Sequence, residues 1–229
     1  MSIQGKAKES LQKAKDSFQS IKEEIANSII HGLGAILSII GLIVLLYQSI
    51  TKGTAKHIFS CAFYGGSLVV LYVISTLYHS ITHKTAKRVF RRLDHISIYL
   101  LIFGTYIPLT LLVLKGAIGW TFFGIQCGLT AFGITFKAIF GPKFEVLSTI
   151  FYLLMGCMAL IVIRPIYLAL SFKGMMYVLY GGFFYVLGIL FFALDKKVPF
   201  FHSIWHVFVL AGSFFHYFLV LLFVIPFAV

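Results

Sequence analysis

Seven apolar stretches, approximately 28–50, 58–82, 93–114, 117–139, 146–169, 174–194 and 200–227, are the strongest constraint on this chain. Each is long enough to cross a hydrocarbon core of ~30 Å at 1.5 Å per residue. A soluble domain of 229 residues cannot bury so much apolar surface when 60% of its residues are hydrophobic and 11% are charged. The breaks are short: Thr51-Lys52-Gly53, Lys115-Gly116, Gly141-Pro142-Lys143, Arg164-Pro165 and Asp195-Lys196-Lys197. The expected fold is an all-α membrane protein, a seven-transmembrane helix bundle. A short amphipathic N-terminal helix precedes it.

That leading segment, residues 1–27, carries lysines among acidic residues, with Ile3, Leu11, Phe18, Ile21 and Ile25 as a loose apolar stripe. It reads as a cytoplasmic arm lying on the membrane surface, joined to a seven-helix domain over 28–229. Its polar start is the wrong order for a cleaved leader. Cys61, Cys127 and Cys157 lie inside apolar stretches at no metal-like spacing and read as small buried packing residues. Gly124 and Gly128 have the small-xxx-small spacing that lets helices approach closely.

A net charge of +12 raises nucleic acid as a partner, but there is no glycine-rich phosphate loop and no basic stretch interleaved with exposed aromatics. Charge instead reports orientation. With alternating crossings, fourteen Lys and Arg fall on the side of the N-terminus and five on the other. The positive-inside rule then puts the N-terminus in the cytoplasm and the C-terminus outside. The expected location is a cell membrane, crossed several times, with the lipid bilayer as the surroundings.

This orientation gives the polar residues a depth. Ser75 and His79 occupy the inner end of the second stretch, and Asp94 the start of the third. His202 and His206 share one face of the first two turns of the seventh, four residues apart. Glu24, Asn27 and His31 are spaced i, i+3, i+7 at the entry of the first. Four helices thus bring costly polar groups to one level, whereas the outer side offers only His57, expected in a loop. The imidazoles of His79, His202 and His206 suit Zn²⁺ with one coordination position left open.

Asp94 either orients a histidine and takes a proton, or pairs with Arg91 or Arg92. Ser75 either bonds a ligand or packs between helices. Asn27 and Glu24 support the site or anchor the first helix, and His31 stands as a fourth ligand or a supporting group. His83 and His95 are expected to be solvated or interfacial. His216, ten residues beyond His206 and roughly 15 Å deeper, is expected to be hydrogen-bonded within the bundle or to lie on a substrate path.

Three motifs carry a resemblance: Glu24-x2-Asn27-x3-His31, Ser75-x3-His79 followed by Asp94, and His202-x3-His206. In this order, from Glu24 onward, the chain resembles the bacterial hemolysin III family, within the superfamily of progestin and adiponectin receptors. The resemblance implies zinc held by His79, His202 and His206, with Asp94 reaching it through water and Ser75 beside it. It also links the chain to membrane hydrolases that include alkaline ceramidases.

The expected function is zinc-dependent lipid hydrolysis within the membrane, a ceramidase-like cleavage of an amide or ester in which membrane lipid is the substrate or ligand. The alternatives are a pore-forming cytolysin and a membrane sensor or receptor with structural zinc. A metal transporter would need ligands at successive depths, which the outer half lacks.

Overall fold

A computed structural model describes the backbone of residues 3–227 and the side chains of residues 19–227. The described chain is helical, with no strand. Its principal elements are α1 (Ile3–Lys52), α2 (Ala55–Ser80), α3 (Lys84–Pro108), α4 (Gly116–Phe140), α5 (Glu145–Cys157), α6 (Ile163–Leu194) and α7 (Phe201–Leu219). Six helical stretches among the described residues are long and apolar enough to cross a membrane. The expected arm is the N-terminal part of α1, which runs unbroken into the first apolar stretch. Ile3, Leu11 and Phe18 of its stripe lie outside the residues whose side chains are described.

Local chemistry sets the helix ends. Thr54 and His57 cap α2 reciprocally, so His57 lies in the first turn of a helix and is buried rather than sitting in a loop. His83 caps α3 by accepting a hydrogen bond from the Ala86 amide and is exposed, as expected. Pro108 ends α3 and is followed by a π turn, Leu109–Val113. Gly141 closes α4 with φ 57°, a conformation suited to glycine.

The expected fourth crossing and the first part of the fifth fall in one stretch, Gly116–Leu160, interrupted by the turn Gly141–Phe144, and the rest of the fifth lies in α6. Arg164-Pro165 occupies the first turn of α6, where proline is tolerated, rather than ending a helix. The helical path of α6 is broken instead at Ser171, with φ 65° and ψ 176°.

Packing centres on α2, which lies against α1 and α3, while α7 lies against α6 and α1. The buried face of α2 runs through Tyr64, Leu68, Leu71, Tyr72, Ser75 and His79, a three-to-four-residue spacing. Leu68, Leu71 and Tyr72 join Leu101 and Val209 in an apolar cluster. Close contact there depends on Gly34, where a Cβ would meet the Tyr72 ring at 2.7 Å.

Gly124 and Gly128, by contrast, have nothing within 4 Å of a Cβ, so the expected packing seam is an open face. Outward orientation, which the spacing cannot reveal, is the reason. Cys61 is buried as expected, but Cys127 is exposed and Cys157 half-buried, and all three are free thiols.

Candidate metal centre

The last turn of α2 and the first turns of α7 bring His79, His202 and His206 together. One ligand atom from each lies within 4.8 Å of the others, so the group can hold a metal ion. Asp94 stands outside this trio.

The hydrogen bonds fix which nitrogens are available. His79 Nδ1 lies 2.7 Å from Glu24 Oε2. A carboxylate only accepts, so Nδ1–H donates and Nε2 keeps a lone pair. His202 Nδ1 donates in the same way to Asp195 Oδ2 at 2.8 Å, and its buried Nε2 has no partner. His206, fully buried, turns Nε2 toward His79 Nε2 at 3.1 Å.

Two imidazole nitrogens bound to one tetrahedral Zn²⁺ at 2.0–2.1 Å would stand roughly 3.3 Å apart. A proton shared between His79 and His206 would satisfy that pair and still leave His202 Nε2 bare. A single cation answers all three. The residues present therefore fit a nitrogen-bound metal, with carboxylates behind two of the imidazoles to fix their tautomers.

Helix α1 braces both ligand-bearing helices through the face read from its i, i+3, i+7 spacing. Glu24 holds His79 and also pairs with Lys87 Nζ at 2.9 Å. Asn27 Oδ1 accepts from Ser203 Oγ at 2.5 Å, tying α1 to α7 beside His202. His31 Nδ1 bonds Ser75 Oγ at 2.7 Å, and its ring lies against that of His206 with centroids 3.6 Å apart. These contacts cross to other helices, so Glu24 and Asn27 do not serve as end caps of their own helix. Glu23 Oε1 accepts from the Phe200 amide, holding the residue before α7 at φ 63°. A left-handed conformation is costly for a bulky residue, and it aims the first turn of α7 and His202.

Asp94 is buried and lines, with His31, an apolar cavity of about 440 Å³ that extends between α3, α5, α6 and α7. The alternative partner Arg91 is engaged with Glu145 at 2.5 Å. His95, expected to be solvated or interfacial, is partly buried and also lines the cavity.

Two residues were missed at the sequence level. Asp195 was read only as a loop charge, although it lies seven residues before His202, close enough for a turn to bring them together. Lys137 was counted as a cytoplasmic charge but is 1% exposed and reaches the carbonyl of Gly141. Nothing in its sequence neighbourhood signals that burial.

The chain matches the family described as Haemolysin-III related over residues 19–217. It belongs to the haemolysin-III-related family. Among its relatives, Hemolysin-3 of Bacillus cereus is 46% identical over 208 residues, covering 91% of this chain and 94% of that protein. A Hemolysin-3 homolog of Bacillus subtilis (strain 168) is 45% identical over 194 residues, covering 85% and 91%. The human Monocyte to macrophage differentiation factor is 30% identical over 129 residues, covering 56% and 53%. With its apolar helices and bacterial relatives, this haemolysin-III-related chain is a multi-pass protein of a bacterial membrane. The matched span contains the whole histidine group and each residue that braces it.

Proposed function

We propose that the chain is a zinc-dependent hydrolase that cleaves an amide or ester of a membrane lipid. The observation that carries this reading is the adjacency of two features. Three imidazole nitrogens converge at one end of the bundle, and an apolar cavity of about 440 Å³ reaches Asp94 and His31 beside them. An acyl chain fits the cavity, and its polar linkage would lie at the level of the histidines.

Zinc at His79, His202 and His206 would supply Lewis-acid polarisation and lower the pKa of a water. Asp94 would take a proton from the attacking water and return it to the departing amine or alcohol as the acyl–heteroatom bond breaks. Ser75 would keep His31 oriented against His206 and stand ready to hydrogen-bond the substrate carbonyl. Glu24, Asn27 and His31 would hold the ligands in register from α1.

The reading includes seven crossings with the N-terminus inside and residues 1–27 as a cytoplasmic arm whose last residues, Glu24 and Asn27, brace the site. The turn at Gly141–Phe144 and the break at Ser171 divide Gly116–Leu194 into three lengths, the middle one interrupted by a 3₁₀ turn at Met158–Leu160, and each is long enough to span. An alkaline phosphatase fused to the C-terminus would then be active. An inactive phosphatase together with a fluorescent C-terminal GFP would require an even number of crossings.

Purified protein should contain about one zinc per chain and release fatty acid from ceramide or phospholipid. Asp94→Asn should keep the metal and lose turnover by about 100-fold or more. Metal without turnover across a broad lipid panel would sink the enzyme reading and favour a sensor with structural zinc. The name Hemolysin-3 carried by two relatives supports a second reading, a pore-forming cytolysin. Dye leakage from liposomes that is indifferent to His206→Ala would favour it.

A further inference from the structure

The end of the bundle opposite the histidines carries a charge imbalance that the hydrolytic reading leaves unused. The first turn of α2 and the segment joining α3 to α4 border a second cavity, of about 190 Å³, whose lining includes Lys56, Lys115 and Trp120. All three are exposed, Trp120 to 62%. Lys56 makes no hydrogen bond or ion pair with another described residue. The Lys115 ammonium rests over the Phe227 ring, 5.7 Å from its centroid. Swinging toward the cavity would cost it no hydrogen bond. Two cations therefore border one open cavity, and their ammonium hydrogens are free for water or a ligand.

No described carboxylate neutralises them. Glu23, Glu24, Asp94, Glu145 and Asp195 all lie at the histidine end. Glu24 bonds His79, Glu23 the Phe200 amide and Asp195 His202. Glu145 pairs with Arg91 and Lys196, and Asp94 lines the larger cavity beside His31. Membrane proteins keep Lys and Arg scarce on the outer side, so cations left there without an acid call for a counter-charge from outside the chain. The bilayer supplies one. In the proposed topology Lys56 and Lys115 stand at the outer headgroup level, where an exposed Trp120 is an interfacial anchor. Lipid phosphates share that level, and each lysine near an anionic lipid surface adds attraction.

We propose that this second cavity binds the headgroup of an anionic, amine-free membrane lipid such as phosphatidylglycerol. Lys56 and Lys115 take the phosphate oxygens, and the acyl chains stay in the surrounding bilayer. The missing carboxylate decides the class. A zwitterionic lipid brings a cationic amine beside its phosphate, and among the described residues no acid at this end can receive it. That amine would meet two lysines instead, and like charges at close range repel. A headgroup ending in glycerol brings hydroxyls and no second charge. The site lies at the other end of the bundle from the histidines, so the inference stands apart from the hydrolase reading.

The test is quenching of tryptophan emission from full-length protein in phosphatidylcholine nanodiscs, which present both leaflets. A minor fraction of phosphatidylglycerol or phosphatidylethanolamine carries a nitroxide near the top of one acyl chain. Phosphatidylglycerol should be preferred at Trp120 by about 20-fold, and Lys56→Gln or Lys115→Gln should each cut that preference by about fivefold. Trp120→Phe should remove the lipid-dependent signal, since Trp205 packs on His206 at the other end. Lys173→Gln, a lysine counted on the same side but outside the cavity, should leave the preference intact. Equal quenching by the two lipids overturns the proposal, and so does a preference that persists in Trp120→Phe. A loss in Lys173→Gln as large as in the cavity variants also overturns it, because diffuse surface charge would then suffice. Inorganic phosphate in the buffer separates the sources. Quenching that resists it supports a lipid headgroup, and quenching relieved at low millimolar phosphate, with salt held constant, overturns the lipid in favour of a soluble phosphate.

Discussion

The two ends of α2 each carry a buried histidine, His57 in the first turn and His79 in the last, with exposures of 1% and 6%. They are used differently. His57 Nδ1 accepts from the Thr54 amide at 3.0 Å, a bond within its own helix terminus. His79 is gripped by Glu24 from α1 and faces His206 from α7. Burial is therefore no mark of a site in this bundle. Convergence is: at one end three helices aim polar atoms at a common point, and at the other His57 bonds within its own helix terminus and leaves a buried Nε2 without a partner.

The contrast breaks first on metal content. His206→Ala removes one of three nitrogen ligands and should reduce bound zinc from about one per chain to near none. His57→Ala should leave the metal in place. Elemental analysis of both variants, purified side by side with the wild type, makes the comparison. Equal loss in the two would mean that the end of α2 bearing His57 matters to the metal as much as the histidine group does.

Next come the carboxylates behind the ligands. Glu24→Gln and Asp195→Asn each keep the shape but weaken the hold on an imidazole tautomer. Each should weaken zinc affinity by about 10–100-fold, read by competition with a chelator. Lys87→Ala, which touches Glu24 from the solvent side, should change it far less. A smaller effect follows at the brace between α1 and α7. Ser203→Ala leaves the buried Asn27 amide oxygen without its donor, at a cost of about 1–3 kcal/mol. Thermal unfolding in detergent should show the loss with zinc still bound.

Much of this was readable without coordinates, and the reasons are physical. Apolar length reports helices in a bilayer because no other backbone arrangement, short of a closed barrel, satisfies its own hydrogen bonds there. The i, i+4 pair at His202 and His206 and the i, i+3, i+7 set at Glu24, Asn27 and His31 were legible because one helix face is a fixed geometry. Asp195 was not, because its approach to His202 depends on the turn through Phe200, held from another helix by Glu23. Lys137 was counted with the cytoplasmic-side charges and its burial went unread, since sequence assigns a level to a residue near a helix end but not a direction. Gly124-x3-Gly128 failed for the same reason: the spacing says that two glycines share a face, not that anything lies against it. Of the breaks in helical path between Gly116 and Leu194, at Gly141–Phe144, at Met158–Leu160 and at Ser171, only the first carries a glycine visible beforehand.

The finest comparison is between two glycines in long helices. At Gly34 an added methyl would meet the Tyr72 ring at 2.7 Å and Leu210 at 2.9 Å. Tyr72 is bonded to Ser213 and has its ring edge-on to His31, so it has little room to move. Gly34→Ala should therefore cost about 1–3 kcal/mol. At Gly124 the same methyl meets nothing within 4 Å, and alanine is the better helix former. Gly124→Ala should be neutral, or stabilising by up to about 1 kcal/mol, in detergent unfolding. Were it instead to destabilise the protein as much as Gly34→Ala does, the open face of α4 would have to be covered in the membrane. The contrast between a braced end and an uncommitted flank would then fail.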